Sequence, residues 1–359
     1  MKKIIKKRFL RIIIILAIFG VSIGSYFIFR SPYKFRGSGV VKILVLNSYH
    51  PDFPVGLVDE SLKGFKDSLE KNGLKKYEIK EINLDYNRKD SEEAKLQTAV
   101  EAKKEIDSWK PDLIFTTNDE AQKYVISPYF LKSDIPIVFA SVINKPESYG
   151  FNKVKNITGV LQTPLFSTTI NFLKQLFPNV KKIAVISEDD SRWSTTIDGF
   201  KKYQDQIPEI EFIGWNRFIN YKDFKNFVLL YQTRVDALLI TPLDNLKDES
   251  GKNVQFLTVT KWLVENSHLP EISFWKIPTD GLFAAVTYSP YEQGAEAGRL
   301  AYKILIEGKR PISLGFKNLD IGDRYLNIAR AESLGLKQED IPSTILINSK
   351  IIKKFPWQE

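Results

Sequence analysis

The chain has 359 residues, about twice the usual size of a single domain, so we expect two domains or lobes. Its composition, 43% hydrophobic and 26% charged, is ordinary for a globular protein and argues against disorder and against a multi-span membrane protein. The chain contains no cysteine, which excludes disulfides, thiolate metal sites, a cysteine nucleophile and a lipid-modified N-terminal cysteine. Histidine occurs only 2 times, so we expect no metal site, and we expect no cofactor.

The formal net charge of +9 is concentrated at the N-terminus. Residues 1–36 contain nine basic residues and no acidic residue, and the basic residues that follow equal the 43 acidic residues in number. The bulk of the chain is therefore formally neutral and has no overall field that would attract phosphates. We expect no nucleic-acid partner.

An apolar stretch follows the basic N-terminus. Ile12–Phe29 carries no charge over 18 residues, which as a helix would span about 27 Å, enough for a tilted membrane crossing. Since the basic Lys2–Arg11 would stay in the cytoplasm, we expect the rest of the chain in the periplasm or at the cell surface. A cleaved signal peptide is the alternative, because Ser22 and Gly24 offer small residues at a cleavage site. The length of the stretch favours an uncleaved anchor, with residues 1–36 forming a cytoplasmic basic end, the membrane anchor or signal segment, and a tether.

Short apolar runs recur along the remainder of the chain, and their uniform character is typical of strands buried on both faces of a parallel sheet. These predicted strands are Ile43–Leu46, Leu113–Phe115, Ile135–Ala140, Ile183–Ile186, Ala237–Ile240 and Leu282–Val286. Helical stripes lie between them, one formed by Val58, Leu62, Phe65 and Leu69 and ending at Asn72-Gly73, and one formed by Ile170, Leu173 and Phe177 and ending at Pro178. The alternation predicts an α/β protein with two doubly wound parallel sheets.

A helix-start signal lies at Ser289-Pro290-Tyr291-Glu292, with serine before the helix, proline in its first position and glutamate completing a capping box. The helix is predicted to run to Glu307 and to end at Gly308. We interpret Glu292 as a capping residue rather than a ligand contact. Small residues share one face of this helix, which we expect to pack closely on a sheet; they are Gly294, Ala297, Gly298 and Ala301.

Polar residues follow the predicted strands at the end where small molecules bind in open α/β sheets. The candidates for ligand contact are Ser48, Tyr49, His50, Thr117, Asn118, Asp119, Ser141, Ser191, Asp244, Trp275 and Tyr288. Hydroxyls and amides outnumber charges in this set, and aromatic rings are interleaved, which suits a small polar or zwitterionic molecule.

Structural roles stay open for several of these candidates. Asp119 and Asp244 are also placed to cap helices or close turns. His50 precedes a proline in a turn-rich loop, where a solvated side chain is the simplest alternative. Tyr49 and Trp275 are equally suited to packing at a junction between lobes.

No catalytic motif stands out. The first predicted strand is not followed by G-x-G-x-x-G, and the chain has no G-x-x-x-x-G-K. Gly20, Ser22 and Gly24 match the G-x-S-x-G pattern of serine hydrolases, but they lie in the apolar leader rather than between a strand and a helix. The acidic run Glu188-Asp189-Asp190 lacks the spacing of a Ca²⁺ loop, and we expect it to be a solvated loop. We therefore predict no enzyme activity and no catalytic residue.

Several segments, taken in order, resemble the extracytoplasmic substrate-binding proteins of ABC transporters, in the branch with the type I periplasmic-binding-protein fold. The resemblance covers roughly residues 40–348 and is carried by Lys110–Ile114, Ile135–Phe139, Asn156–Val160, Val235–Ala237, Pro242–Asn245, Tyr291–Gly308, Arg310-Pro311, Asn327–Ala329 and Leu334–Leu336. Asn47–Pro51, together with Asn118–Ala121 and Lys123–Val125, is similar to a sub-branch that also serves as the sensing domain of membrane-bound signalling proteins.

This resemblance implies two lobes joined by a three-crossover hinge, with the ligand in the cleft between them. Lobe one would take residues 39–160 and 287–315, and lobe two residues 161–286 and 316–348. A ligand that touches both lobes would favour a closed form, and closure would present a new surface to an ABC permease, the expected protein partner.

Relatives in this branch include amino-acid binders, in which hydroxyls hold the ligand carboxylate and an acid holds its ammonium. By this resemblance Ser48, Thr117 and Ser141 would fill the first role, and Asp119 or Asp244 the second. An apolar ligand side chain would be covered by one of the aromatic residues Tyr49, Trp275 or Tyr288. A sugar or a nucleoside is the alternative ligand.

The sequence departs from the family pattern in two respects. Many members are tethered by a lipidated cysteine, which this chain lacks, so the apolar leader would have to serve as the anchor or be removed. Sensor relatives continue into a second membrane span and an output domain, whereas this sequence ends at Glu359. We therefore expect a transport receptor, with a membrane-anchored sensing receptor as the alternative.

Overall fold

The structure, a computed structural model, describes residues 35, 39–52, 57–89, 91–189 and 191–358, without the side chains of residues 191–196 and 206. The predicted apolar leader at residues 12–29 lies outside the described residues. Within the described ranges, no helix is both long enough and apolar enough to cross a membrane.

Strands and helices alternate along the chain. The strands are β1 (Val41–Asn47), β2 (Tyr77–Asn83), β3 (Leu113–Thr117), β4 (Ile137–Val142), β5 (Ile157–Leu161), β6 (Lys182–Glu188), β7 (Glu211–Phe218), β8 (Ala237–Ile240), β9 (Glu271–Ser273), β10 (Ala284–Tyr288), β11 (Phe316–Asn318), β12 (Gly322–Asn327) and β13 (Ser349–Ile352). The helices are α1 (Leu57–Lys71), α2 (Glu92–Trp109), α3 (Asn118–Ala121), α4 (Ser127–Tyr129), α5 (Phe166–Leu176), α6 (Ser191–Tyr203), α7 (Tyr221–Tyr231), α8 (Phe256–Asn266), α9 (Pro290–Leu305), α10 (Pro311–Leu314), α11 (Ile328–Ser333) and α12 (Ser343–Ile347).

The chain divides into two compact units. Unit 1 comprises the described residues up to Gln162 together with Pro290–Asn318, and unit 2 comprises Thr163–Ser289 together with the residues from Leu319 onward. The chain passes from one unit to the other three times. The predicted fold class, two α/β units with mostly parallel sheets, is confirmed.

Unit 1 contains a six-stranded sheet in the order β11-β5-β4-β3-β1-β2, in which every neighbouring pair is parallel. The central strands are buried on both faces, as their continuous apolar runs require. Chain order reverses at the β1/β3 pair, so the loops that follow these two strands diverge and leave a crevice at their carboxyl ends.

Unit 2 repeats this winding. Its seven-stranded sheet has the order β13-β12-β10-β9-β8-β6-β7, parallel throughout except where β12 runs antiparallel to β10. The reversal of chain order falls at β6/β8. Two apolar cores, one including Phe283 and Ile170 and the other Phe224 and Leu263, occupy this unit. Each unit therefore has one switch point, the place where open α/β sheets bind small molecules.

All six predicted apolar runs overlap strands, although Ile135-Pro136 precede β4 and Leu282-Phe283 precede β10. The two predicted helical stripes fall on α1 and α5, with Phe177 one residue past the end of α5. The boundaries between units differ from the predicted lobes at three places. Residues 161–162, expected in lobe two, belong to unit 1, where Leu161 ends β5. Residues 316–318, expected in lobe two, pair as β11 with β5 of unit 1. Residues 287–288, expected in lobe one, complete β10 of unit 2 because they pair with β12.

The small-residue face of α9 packs mainly on a helix, which corrects the expectation that it packs on a sheet. A Cβ added at Gly294 would lie 2.7 Å from the carbonyl carbon of Ser61, and one at Gly298 would lie 3.2 Å from that of Phe65, both in α1. Gly64 of α1 makes the same kind of close contact with α9, since a Cβ there would lie 2.9 Å from the carbonyl carbon of Tyr291. Glycine lets the two helix backbones approach closely, and this fixes the position of the first turn of α9.

Candidate functional site

At the switch point of unit 1, the hydroxyl groups of Ser48 and Thr117 donate hydrogen bonds to other groups of the same unit. Ser48 Oγ donates to the carbonyl of Thr117 at 2.6 Å and accepts the N–H of Ala121 at 2.9 Å. Thr117 Oγ1 donates to Asn47 Oδ1 at 3.3 Å. Both side chains are buried, with relative exposures of 0% and 1%. These bonds tie the carboxyl end of β1 to that of β3 and to the helical segment that follows it.

Asn118 and Ser141, at the carboxyl ends of β3 and β4, combine backbone strain with unpaired polar atoms. Their φ angles are +61° and +58°, in the left-handed region that costs most non-glycine residues about 1 kcal/mol or more. They are buried, with exposures of 6% and 1%, and neither Asn118 Oδ1 nor Ser141 Oγ has a hydrogen-bond partner among the described residues. Asn118 Nδ2 reaches the carbonyl of Ser141 over a long 3.5 Å. Strain and unsatisfied polar groups in one place are typical of a functional site.

Two buried glutamines complete this cluster, and sequence reasoning missed both. Gln293, in the first turn of α9, accepts the N–H of Ser141 at 3.2 Å and donates to the carbonyl of Leu161 at 3.3 Å. It thereby bridges the register shift between β4 and β5. Gln122 donates to the carbonyl of Asn118 at 2.9 Å, while its Oε1 has no partner within the described part of the chain.

Gln122 also begins a π-helical turn, Gln122–Ile126, between α3 and α4. Such turns are rare and occur frequently at functional sites. A sequence signal for Gln293 existed, because it lies four residues before Ala297 on the buried small-residue face of α9.

Asp119 organises the loop that follows β4. Its carboxylate accepts the N–H groups of Ile143 at 2.9 Å and Asn144 at 3.0 Å, the side-chain amide of Asn144 at 3.0 Å, and the hydroxyl of Tyr149 at 2.7 Å. Burial and this last bond raise the pKa of Tyr149, which keeps it protonated as a donor. Four donors already surround Asp119.

Tyr49 and His50 follow Ser48 and are half-buried. His50 Nδ1 lies 3.1 Å from the carboxylate of Asp52, and the His50 N–H donates to Asn87 Oδ1 at 3.3 Å. These contacts hold the turn at the rim of the unit 1 site.

At the switch point of unit 2, Glu188 is the last residue of β6 and is 1% exposed, so the expected solvated loop is wrong for this residue. Its carboxylate accepts the backbone N–H of Asn245 at 2.8 Å and lies 3.4 Å from the Asn245 side-chain amide. Thr241 Oγ1 donates to Ser187 Oγ at 3.2 Å. The loops after β6 and β8 are therefore joined, as are those after β1 and β3 in unit 1.

The remaining candidates lie around this second loop cluster or beyond it. Asp244 is exposed in the loop after β8, and it adds to burial in raising the pKa of half-buried Asp280. Trp275, after β9, packs partly buried against both cores of unit 2. Tyr288 ends β10 opposite Gly322 of β12. Ser191 begins α6, and its side chain lies outside the described set.

The chemistry of the unit 1 cluster is that of hydrogen bonding. Two amide carbonyl oxygens and one hydroxyl are buried without a partner in the described residues, which suits a ligand that donates N–H or O–H groups. The described residues contain no group of three or more His, Asp or Glu side chains arranged to hold a metal ion.

Comparison with known proteins gives a consistent result. A family profile described as ABC transporter substrate binding protein matches residues 56–208, less than half of the chain. None of the curated proteins matches.

Solved structures of similar fold cover 88% of this chain and 100% of their own. One is a ligand-free, open substrate-binding protein with adhesive properties from Clostridium difficile, with 22% identity and a TM-score of 0.66. Another is an ABC domain in complex with L-Trp from Streptococcus pneumonia, with 21% identity and a TM-score of 0.51. A third is a conserved domain protein from Vibrio cholerae, with 20% identity and a TM-score of 0.50. The resemblance found in the sequence and the type I periplasmic-binding-protein fold are confirmed.

Proposed function

We propose that this chain, which has the type I periplasmic-binding-protein fold and matches the ABC transporter substrate-binding profile over residues 56–208, is an extracytoplasmic solute-binding protein. It captures a small polar molecule with the loops at the carboxyl ends of the unit 1 strands and delivers it unchanged to an ABC permease. Residues 12–29 anchor it in the cytoplasmic membrane. An amino acid is the proposed ligand.

The observation that supports ligand binding most strongly is the buried pair Asn118 and Ser141, both with unpaired polar atoms and the second with a strained backbone. A left-handed φ at a serine costs free energy that a purely structural loop would avoid with glycine. The unpaired Ser141 Oγ and Asn118 Oδ1 would each gain a partner when a ligand donates to them.

The same hydrogen bonds refine the roles suggested by the resemblance. The hydroxyl protons of Ser48 and Thr117 are already donated inside unit 1, so we assign them to building the site rather than to holding a carboxylate. Asp119 holds its own loop with four hydrogen bonds. We assign the ligand ammonium to the acceptors Asn118 Oδ1 and Ser141 Oγ.

Isothermal titration calorimetry of the purified chain with amino acids, sugars and nucleosides tests this proposal. We expect binding heat from at least one amino acid, and a roughly tenfold weaker affinity in Ser141→Ala, the factor set by one lost hydrogen bond. Ser313→Ala, an exposed serine in unit 1 that donates only to the carbonyl of Arg310, is the matched control and should bind normally. An absence of heat from every amino acid would remove the ligand assignment, and heat from sugars alone would replace it.

The alternative role is a membrane-anchored ligand-sensing receptor for a signalling partner. It is favoured by the similarity of Asn47–Pro51 and Asn118–Ala121 to sensing domains, since both segments contribute to the unit 1 site. A neighbouring gene for a histidine kinase supports sensing, whereas neighbouring genes for a permease and an ATPase support transport.

A further inference from the structure

The amino-terminal ends of the strands in unit 1 carry a cluster of exposed cations. Lys132, Lys153 and Lys155 line one surface hollow of about 500 Å³ before β4 and β5, together with Asp134. The N–H of Ile312 donates to the carbonyl of Lys155 at 3.3 Å, which brings the segment containing Lys309 and Arg310 to the same end. We call the five cations Lys132, Lys153, Lys155, Lys309 and Arg310 the basic end.

The basic end is available to an external partner. All five side chains are exposed, and none forms an ion pair with a carboxylate in the described part of the chain. The hollow is lined by three lysines and one acidic residue, Asp134, so the cations outnumber the acids there. A field of one sign that is not balanced locally attracts a surface of the opposite sign.

The chain that leads from the apolar stretch arrives at the same place. The N–H of Phe35 donates to the carbonyl of Leu305 at 2.8 Å, at the end of α9 and four residues before Lys309. Five residues lie between Phe29 and Phe35, and the six steps from one Cα to the next reach about 20 Å at most. If residues 12–29 cross the bilayer, this contact keeps the basic end close to the membrane surface. The electrostatic field of anionic lipids decays over about 8 Å in physiological salt, and the lysines would lie within that distance.

We propose that the basic end is a docking surface for an anionic lipid bilayer, so that unit 1 rests on the membrane through the starts of β4 and β5. This inference rests on the proposed anchoring by residues 12–29. The ligand loops at the carboxyl ends of the same strands then point away from the lipid contact.

Lysine acetylation rates of the full chain, read by mass spectrometry, test the proposal. The chain is reconstituted in nanodiscs of phosphatidylcholine alone or of phosphatidylcholine mixed with phosphatidylglycerol. In the anionic discs we expect Lys132, Lys153, Lys155 and Lys309 to react about fivefold more slowly, the factor for one basic side chain near an anionic surface. The exposed Lys202 and Lys252 of unit 2 should be unchanged, and high salt should abolish the effect.

A charge-reversal variant, Lys153→Glu with Lys155→Glu, should remove most of the protection of Lys132, whereas Lys202→Glu with Lys252→Glu should not. Equal rates in the two kinds of disc, or equal slowing at all lysines, would overturn the proposal while leaving the anchoring intact. Slowing by inorganic phosphate in phosphatidylcholine discs would show a free-anion site instead of a membrane surface. A chain that dissociates from both kinds of disc would refute the anchoring, and with it this inference.

Discussion

Replacing Gly294 with alanine perturbs the helix crossing that positions Gln293 at the unit 1 site. The new Cβ would overlap the carbonyl group of Ser61 and lie 2.7 Å from its carbon and 3.0 Å from its Cα. These are backbone atoms, so α1 and α9 must separate by about 1 Å to restore an ordinary carbon–carbon contact. Such overpacking costs about 3 kcal/mol, and the better helix propensity of alanine returns about 1 kcal/mol. We expect a net destabilisation of about 2 kcal/mol.

Gly199 in α6 provides the matched control, because a Cβ at this helical glycine meets nothing within 4 Å. Gly199→Ala should therefore stabilise the protein by up to about 1 kcal/mol through propensity alone. Urea unfolding followed by circular dichroism compares the two variants. Ligand titration should also show weaker binding in Gly294→Ala, since Gln293 moves with the helix. Equal stability of the two variants would refute the close helix crossing.

Three further substitutions have defined outcomes. Arg330→Met should lower the free energy of unfolding, measured in urea, by about 3–5 kcal/mol because it leaves the buried Glu271 carboxylate without its cation. Adding Glu271→Gln should recover much of this loss. Equal stability of the single and double variants would contradict the role of this ion pair. Ser141→Gly should stabilise the chain by about 1 kcal/mol because glycine tolerates the positive φ, but it should weaken ligand binding. Lys110→Gly, also at positive φ, is the control and should stabilise the chain without affecting binding. Unchanged ligand affinity in Ser141→Gly would count against the site. Burial raises the pKa of Asp280, so the folded state disfavours its ionised form. Asp280→Asn should therefore raise the melting temperature at neutral pH, and this gain should disappear below the unfolded-state pKa near 3.8. A gain that persists in acid would refute the burial argument.

The central strands could be predicted from sequence because burial on both faces leaves an apolar signature. Ala237–Ile240 was predicted with the bounds that the structure gives to β8. β2 was not predicted, because it is an edge strand in which charged residues interrupt the apolar ones and leave no apolar run. The antiparallel β12 was also missed, since strand direction depends on long-range pairing rather than on local pattern.

The location of the candidate site could also be predicted, because loops after parallel strands converge at one edge of the sheet. Asn118 and Ser141 were found in this way, but their positive φ angles and unpaired atoms depend on how β3 and β4 end and carry no pattern in the sequence. Glu188 was misjudged because a run of acids reads as solvated, whereas β6 continues through it into the interior. Its partner Asn245 lies 57 residues away.

Asn118 and Ser141 are central to the proposed function because they hold the small polar ligand. A crystal structure of the chain with the amino acid that gives the largest calorimetric heat tests this claim most directly. We predict a ligand nitrogen at a hydrogen-bond distance of about 2.9 Å from Ser141 Oγ or Asn118 Oδ1. A ligand bound elsewhere, or one that places only apolar atoms against these two residues, would contradict it.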